Sequence, residues 1–142
     1  MPDTLKGNAI IGQSGGPTAV INQSLVGVIE TIGCARQIKH LLGARYGVRG
    51  VIEEQFVELK GLKKSLLETV AATPAAALGS SRDKPDEAYC REILRSFKKH
   101  DVRYFFYIGG NDSADTARIV NEMADDSGYE LRTFHIPKTI DN

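Results

Sequence analysis

Residues 103–113 of the chain read RYFFYIGGNDS. Arg103 to Ile108 is an almost unbroken apolar run, which indicates a central parallel strand that is covered on both faces. Gly109 and Gly110 end that strand, and the pattern after them predicts a helix from about Ser113 to Ala124. A buried strand that turns directly into a helix is typical of an α/β sheet.

The rest of the chain repeats this alternation of strands and helices. Further strands are predicted at residues 8–12, 39–44 and 131–136, and further helices at residues 17–32, 62–70 and 85–99. Residues 46–51 are interpreted as a turn-rich connection. Because strands and helices alternate, we expect an open, mostly parallel, Rossmann-like sheet with right-handed crossovers and flanking helices.

The composition indicates an ordinary soluble globular domain. The chain has 142 residues, and its 18 Lys and Arg residues balance its 18 Asp and Glu residues, so the net charge is zero. A neutral chain has no broad attraction to nucleic acid or to an anionic membrane surface. Its two cysteines, Cys34 and Cys90, form no CxxC pair, which suits a reducing compartment. We therefore expect a cytoplasmic protein without nucleic-acid or membrane partners.

Three polar loops each follow a predicted strand, and their sequences are SGGP at 14–17, GGNDS at 109–113 and PKTIDN at 137–142. In open α/β sheets ligands bind beyond the carboxyl ends of the strands, so we expect the three loops to face one crevice. Glycines at a helix start let backbone N–H groups approach a phosphate. Each loop by itself also has a structural interpretation: a turn, helix capping by Asp112 or Ser113, and a polar turn, respectively.

Four segments together resemble the phosphofructokinase family in their order and spacing. They are GQSGGPTA at 12–19, GSSR at 79–82, GGNDS at 109–113 and PKTIDN at 137–142. The resemblance covers almost the whole chain, and its most specific element is the segment Thr139 to Asn142. It implies that residues 1–142 are a donor-phosphate-binding α/β domain, cut off inside the catalytic loop and lacking the acceptor-binding second domain of the family.

At two positions the chain resembles the pyrophosphate-dependent branch of this family. ATP-using members carry glycine at the places where this chain has Asp112 and Lys138. The Asp112 carboxylate would fill space and repel charge where the α-phosphate of ATP lies, and pyrophosphate has no such phosphate. Lys138 would supply a cation to the transferred group and to the leaving phosphate. The resemblance thus implies reversible phosphoryl transfer from pyrophosphate to the 1-hydroxyl of fructose 6-phosphate.

The resemblance also implies roles for the other site residues. Gly15 and Arg82 would contact the donor phosphates. Thr139 would hold the sugar, and Asp141 would be the catalytic base. Asn111 stands where the family has an acidic Mg²⁺ partner; its amide oxygen can still ligate the ion, and a role as a turn residue is equally open. The complete enzyme is expected to use Mg²⁺ and to be a homo-oligomer, a dimer or a tetramer.

Several different functions stay open at the level of the sequence. Lipid and nicotinamide-nucleotide kinases also use a GGDG-type loop, although the GSSR and PKTID segments disfavour them. An ATP-dependent 6-phosphofructokinase and an inactive phosphate-binding or interaction fragment are two further hypotheses. For His135, packing or hydrogen bonding in its strand is favoured over acid–base chemistry. His40 and His100 show no partner pattern, and the basic residues from Arg91 to His100 are interpreted as a solvated helix face.

Overall fold

The computed structural model of the chain describes residues 5–14, 19–32, 35–62, 64–72 and 86–137. Within these ranges the chain forms five strands and five helices. The strands are β1 (Gly7–Gln13), β2 (Ile38–Ala44), β3 (Phe56–Glu58), β4 (Val102–Gly109) and β5 (Arg132–Pro137). The helices are α1 (Ala19–Ile32), α2 (Gly47–Ile52), α3 (Lys64–Ala72), α4 (Glu87–Lys99) and α5 (Asn111–Asp126).

The five strands form one sheet in the order β3-β2-β1-β4-β5. β1 pairs in parallel with β2 and with β4, and β4 pairs in parallel with β5. β3 is an antiparallel edge strand on β2. The predicted open, mostly parallel α/β sheet is therefore confirmed, and parallel pairing places the carboxyl ends of β1, β4 and β5 at one edge.

The sheet separates two apolar cores. α1 packs on one face of the sheet together with α3, and α4 and α5 pack on the other face. β4 contributes to both cores, since Phe105 and Tyr107 point towards α4 and α5, whereas Phe106 and Ile108 point towards α1. The ring of Phe105 meets that of Phe97 edge-on, with 4.9 Å between the centroids. The prediction of a central strand covered on both faces is confirmed.

The connection after β2 differs from the sequence prediction. The structure has the short helix α2 where residues 46–51 were expected to form turns, and β3 follows it without a sequence signal. Tyr46 takes the left-handed conformation, with φ 60°, directly before α2. A Cβ atom at Gly50 would lie 1.8 Å from the carbonyl oxygen of Arg45. The helix can therefore fold tightly back on the turn because residue 50 is glycine.

The starts of α4 and α5 are capped in different ways. Asp86 is the N-cap of α4, and its side chain accepts a hydrogen bond of 2.8 Å from the backbone N–H of Tyr89. The N-cap of α5 is Gly110, which has no side chain, so capping by Asp112 or Ser113 is wrong. α5 therefore starts two residues earlier than predicted, because glycine at the end of β4 lets the chain turn directly into the helix.

Several charged residues of the described surface form ion pairs. On α4, Arg91 pairs with Glu87 and Arg95 with Glu92, which confirms the prediction of a solvated helix face. The two histidines without a partner pattern do have partners: His40 lies 2.6 Å from Glu58, and His100 lies 2.7 Å from Glu54. Both partners are remote in sequence. Among the described helices, none is long and apolar enough to span a membrane.

Candidate functional site

The structure describes part of the candidate site. The predicted site residues outside the described ranges are Gly15, Arg82, Lys138, Thr139 and Asp141. Asn111 and Asp112 are the first two residues of α5. Two of the described ranges end at Ser14 and at Pro137, on either side of β4, and both residues lie at the carboxyl edge of the sheet. The roles predicted for the site residues stay predictions.

The carboxyl edge has a topological switch point between β1 and β4. From β1 the chain crosses through α1 to β2 on one side, whereas from β4 it crosses through α5 to β5 on the other. The two connections therefore lead to opposite sides, and a switch point of this kind is where open α/β sheets bind ligands. The Ser14 N–H donates to the Ile108 carbonyl at 2.8 Å, so the two strands stay paired up to their carboxyl ends.

The end of β4 packs closely against the end of β1 and the start of α5. A Cβ atom at Gly109 would lie 2.1 Å from Ser113 Oγ, 2.9 Å from Ser113 Cβ and 3.0 Å from Ser14 Cβ. Both serines are buried. At Gly110, in contrast, an added Cβ would meet nothing within 4 Å. Glycine is therefore required at position 109 for the close approach of α5 to β1, while position 110 is open.

Two buried amides join β1 to the start of α1. Gln13 Nε2 donates to Asn22 Oδ1 at 3.1 Å, and both residues are completely buried. Buried polar side chains need such partners, and this pair lies on either side of the segment 15–18. Sequence reasoning gave neither residue a role, although a glutamine at the end of an apolar strand was an available signal.

His135 connects β5 to the turn between β4 and α5. Its Nε2 atom lies 3.0 Å from the Gly109 carbonyl oxygen and 3.1 Å from that of Gly110. Because carbonyl oxygens only accept hydrogen bonds, Nε2 must carry the proton and donate to both. The predicted hydrogen-bonding role of His135 is confirmed.

The electrostatics of the edge suit an anion. The 16-residue helix α5 begins there, and the positive end of its dipole favours a phosphate. Among the described residues, no three His, Cys, Asp or Glu side chains are grouped to hold a metal ion. Amide oxygens can ligate a Mg²⁺ ion that is held mainly by phosphate oxygens and water, and the role of Asn111 stays a prediction.

Two titratable groups elsewhere have shifted pKa values with structural causes. Burial raises the pKa of the Cys90 thiol, and the carboxylate of Asp86 raises it further, so this cysteine is an unreactive packing residue. Burial also raises the pKa of Tyr129, whose hydroxyl donates to the Val102 carbonyl at 2.5 Å. Both groups hold helices against the sheet and belong to the fold.

Known proteins with similar sequences and structures match almost the whole chain. The pyrophosphate--fructose 6-phosphate 1-phosphotransferase of Rhodospirillum rubrum is 53% identical over 137 residues, which are 96% of this chain and 34% of that protein. The crystal structure of the pyrophosphate-dependent phosphofructokinase from Marinobacter aquaeolei superimposes with a TM-score of 0.87 at 39% identity, covering 96% of this chain and 34% of that one. An ATP-dependent 6-phosphofructokinase from Trypanosoma cruzi is 28% identical over 141 residues, which are 99% of this chain and 28% of that protein.

The chain spans about a third of the length of the relatives that it matches. The sequence profile of the phosphofructokinase family matches residues 8–142, from the first strand through the PKTIDN segment. This range includes all four segments on which the family resemblance depends. The fold and the sequence agree, and the chain belongs to the phosphofructokinase family.

Proposed function

We propose that this chain forms the donor-phosphate-binding part of a pyrophosphate-dependent phosphofructokinase. The observation that carries the proposal is the placement of the GGNDS segment at the switch point, between the strand ends that lead to the SGGP and PKTIDN segments. The relatives named as pyrophosphate-dependent enzymes support this donor, since they match at higher identity than the ATP-dependent one. The substrates would be pyrophosphate and fructose 6-phosphate.

The choice of donor depends on two residues. Asp112 is the second residue of α5, where the helix terminus would otherwise attract a further phosphate group. Its carboxylate adds bulk and negative charge at this point, which disfavours the α-phosphate of ATP. Lys138 directly follows β5 and supplies a cation to a donor that has no nucleoside to anchor it. Together the two residues favour a donor of two phosphates.

The transfer itself requires a base and bound phosphates. Asp141 takes the proton of the sugar 1-hydroxyl, whose oxygen forms a bond to phosphorus as the bond to the leaving phosphate breaks. Thr139 holds the sugar, and Gly15 and Arg82 hold the donor. Asn111 would help to hold a Mg²⁺ ion, which would supply charge that neutralises the phosphate oxygens. Assembly into a homo-oligomer and a cytoplasmic location also stay predictions.

The test uses a chimeric enzyme, because the chain spans about a third of its relatives. In the chimera this chain replaces the matching part of the Rhodospirillum rubrum protein. Initial rates of fructose 1,6-bisphosphate formation are measured with pyrophosphate and with ATP at fixed fructose 6-phosphate and Mg²⁺. We expect pyrophosphate to be the better donor. A preference for ATP would contradict the assignment of pyrophosphate as the donor. A folded chimera without turnover, measured beside an active unmodified relative, would contradict the whole proposal.

Variants of the chimera separate the roles. Asp141→Asn is expected to lower kcat by about 10²–10⁴-fold with little change in KM. Asp112→Gly is expected to raise the rate with ATP relative to the rate with pyrophosphate. Lys138→Gly is expected to raise the activation free energy of the pyrophosphate reaction by about 2.7–4 kcal/mol. Asp115→Gly removes an exposed carboxylate one turn further along α5 and serves as the control. An equal gain in ATP use for the variants of Asp112 and Asp115 would refute the donor role of Asp112.

A further inference from the structure

The hydrogen bonds of the Gly110 carbonyl group link His135 to the start of α5. The Gly110 carbonyl oxygen lies within hydrogen-bond distance of three donors: Ser113 N at 3.1 Å, Ala114 N at 3.2 Å and His135 Nε2 at 3.1 Å. Two of these donors belong to the first turn of α5, and the third comes from β5. Gly110 is therefore the point at which β5 contacts the start of α5.

Side-chain packing does not fix Gly110 in the turn between β4 and α5. An added Cβ at Gly110 would meet nothing within 4 Å, whereas one at Gly109 would collide with Ser113 and Ser14. Gly109 is thus fixed by packing, and the orientation of Gly110 depends on the hydrogen bonds of its backbone. The bifurcated donation from His135 constrains both carbonyl groups at once.

We propose that His135 is a positioning residue that sets the first turn of α5, and with it the backbone of Asp112, relative to the end of β5. Lys138 follows His135 by three residues in the sequence, directly after β5. A shift at the end of β5 is therefore transmitted to α5 through the imidazole. The proposal has a structural part and a catalytic consequence. The structural part is the hydrogen bonding of His135 to the turn and concerns residues 109–114 and 135. The catalytic consequence rests on the proposed function.

Glutamine distinguishes positioning from acid–base chemistry. Its amide nitrogen is the same number of bonds from Cβ as His135 Nε2, so it can donate to the same carbonyl groups but cannot exchange a proton in catalysis. Leucine fills similar space and donates nothing. Thr133 offers a matched control, since it lies on the same face of β5 and its Oγ1 contacts Asn121 Oδ1 at 3.1 Å, away from the turn.

The structural part is tested by NMR on the 142-residue chain. Imidazole ¹⁵N shifts are expected to show a protonated Nε2 atom. Hydrogen exchange of the Ser113 and Ala114 amides is expected to rise on the order of 2- to 10-fold in His135→Leu, as for the loss of one net hydrogen bond, and to stay near the parent value in His135→Gln and Thr133→Val. Unchanged exchange in His135→Leu, or a proton on Nδ1 alone, would overturn the proposal.

The catalytic consequence is tested in the chimera. His135→Leu is expected to lower kcat with pyrophosphate by about 10- to 100-fold, because misplacement by a fraction of an ångström is costly in phosphoryl transfer. His135→Gln and Thr133→Val are expected to stay within a few-fold of the parent. An active parent with an equally active His135→Leu would overturn the positioning role. An inactive parent would count against the proposed function, and the exchange measurement would still decide the structural part.

Discussion

Two polar clusters of the described structure have contrasting chemistry. The carboxyl-edge cluster consists of Gln13, Ser14, Asn22, Gly109, Gly110, Ser113 and His135. The ion-pair cluster consists of Glu54, Lys99 and His100. The first is held by amide, hydroxyl and imidazole groups at close packing distances. The second is held by the charges of Glu54 and Lys99, which lie 3.0 Å apart, and by a contact of 2.7 Å between Glu54 and the His100 ring.

The two clusters differ in the role of their charged side chains. The ion-pair cluster joins the end of α4 to the turn after α2, so its charges serve stability. The carboxyl-edge cluster is a frame of mainly buried groups, and the candidate reactive charges lie in the segments that continue from it. We therefore expect changes of side-chain shape at the carboxyl edge to lower stability. We expect the stability that the ion-pair cluster contributes to depend on pH and salt.

The largest expected effect comes from adding one side chain at the edge. Gly109→Ser is expected to lower the free energy of unfolding by about 1–3 kcal/mol, because its Cβ would collide with Ser113 and Ser14. Gly110→Ser is the matched control. It is expected to stay within about 0.5 kcal/mol of the parent, since the position is open and serine is a good N-cap. Urea denaturation measures both, and equal losses would contradict the packing difference.

A smaller, pH-dependent effect is expected in the ion-pair cluster. Hydrogen bonds from Lys99 and His100 hold the pKa of Glu54 below its ordinary value. Its contribution to stability is therefore present at and above the ordinary carboxyl pKa, and it is lost as the pH falls through the lowered pKa. Glu54→Gln keeps the side-chain size and the backbone φ of 58° but removes the charge.

The measurement is the Tm of parent and variant from neutral pH to about pH 3, below the ordinary carboxyl pKa. The Tm deficit of Glu54→Gln is expected to shrink in acid and in high salt, because protonation and screening remove the same interaction in the parent. Glu122→Gln, in an exposed pair with Arg118, is the control and is expected to change Tm less. A Glu54→Gln deficit that is independent of pH would refute the electrostatic origin.

Much of the fold could be predicted from the sequence, because the apolar run of β4 and the regular alternation around it are local signals. α2 and β3 could not, since they depend on the left-handed Tyr46 and on the contact between Gly50 and Arg45. The start of α5 was missed because its N-cap is a glycine, which carries no side-chain signal.

The candidate site was predicted from short segments rather than from contacts. The family resemblance identified its loops, and the structure brings the strand ends before them to one edge. The pairing of Gln13 with Asn22 and that of Glu54 with His100 could not be predicted, because each joins two elements whose relative position follows from the whole sheet. Hydrogen bonding by His135 was predicted, but its partners were not.

The central proposal is that the switch point between β1 and β4 binds the donor phosphates. The most direct test is a crystal structure of the chimeric enzyme with pyrophosphate and Mg²⁺. The proposal predicts pyrophosphate at the carboxyl edge, within hydrogen-bond distance of the Gly15 backbone and next to the first turn of α5. Pyrophosphate bound at the opposite edge of the sheet, or at any site without contact to these two segments, would contradict it.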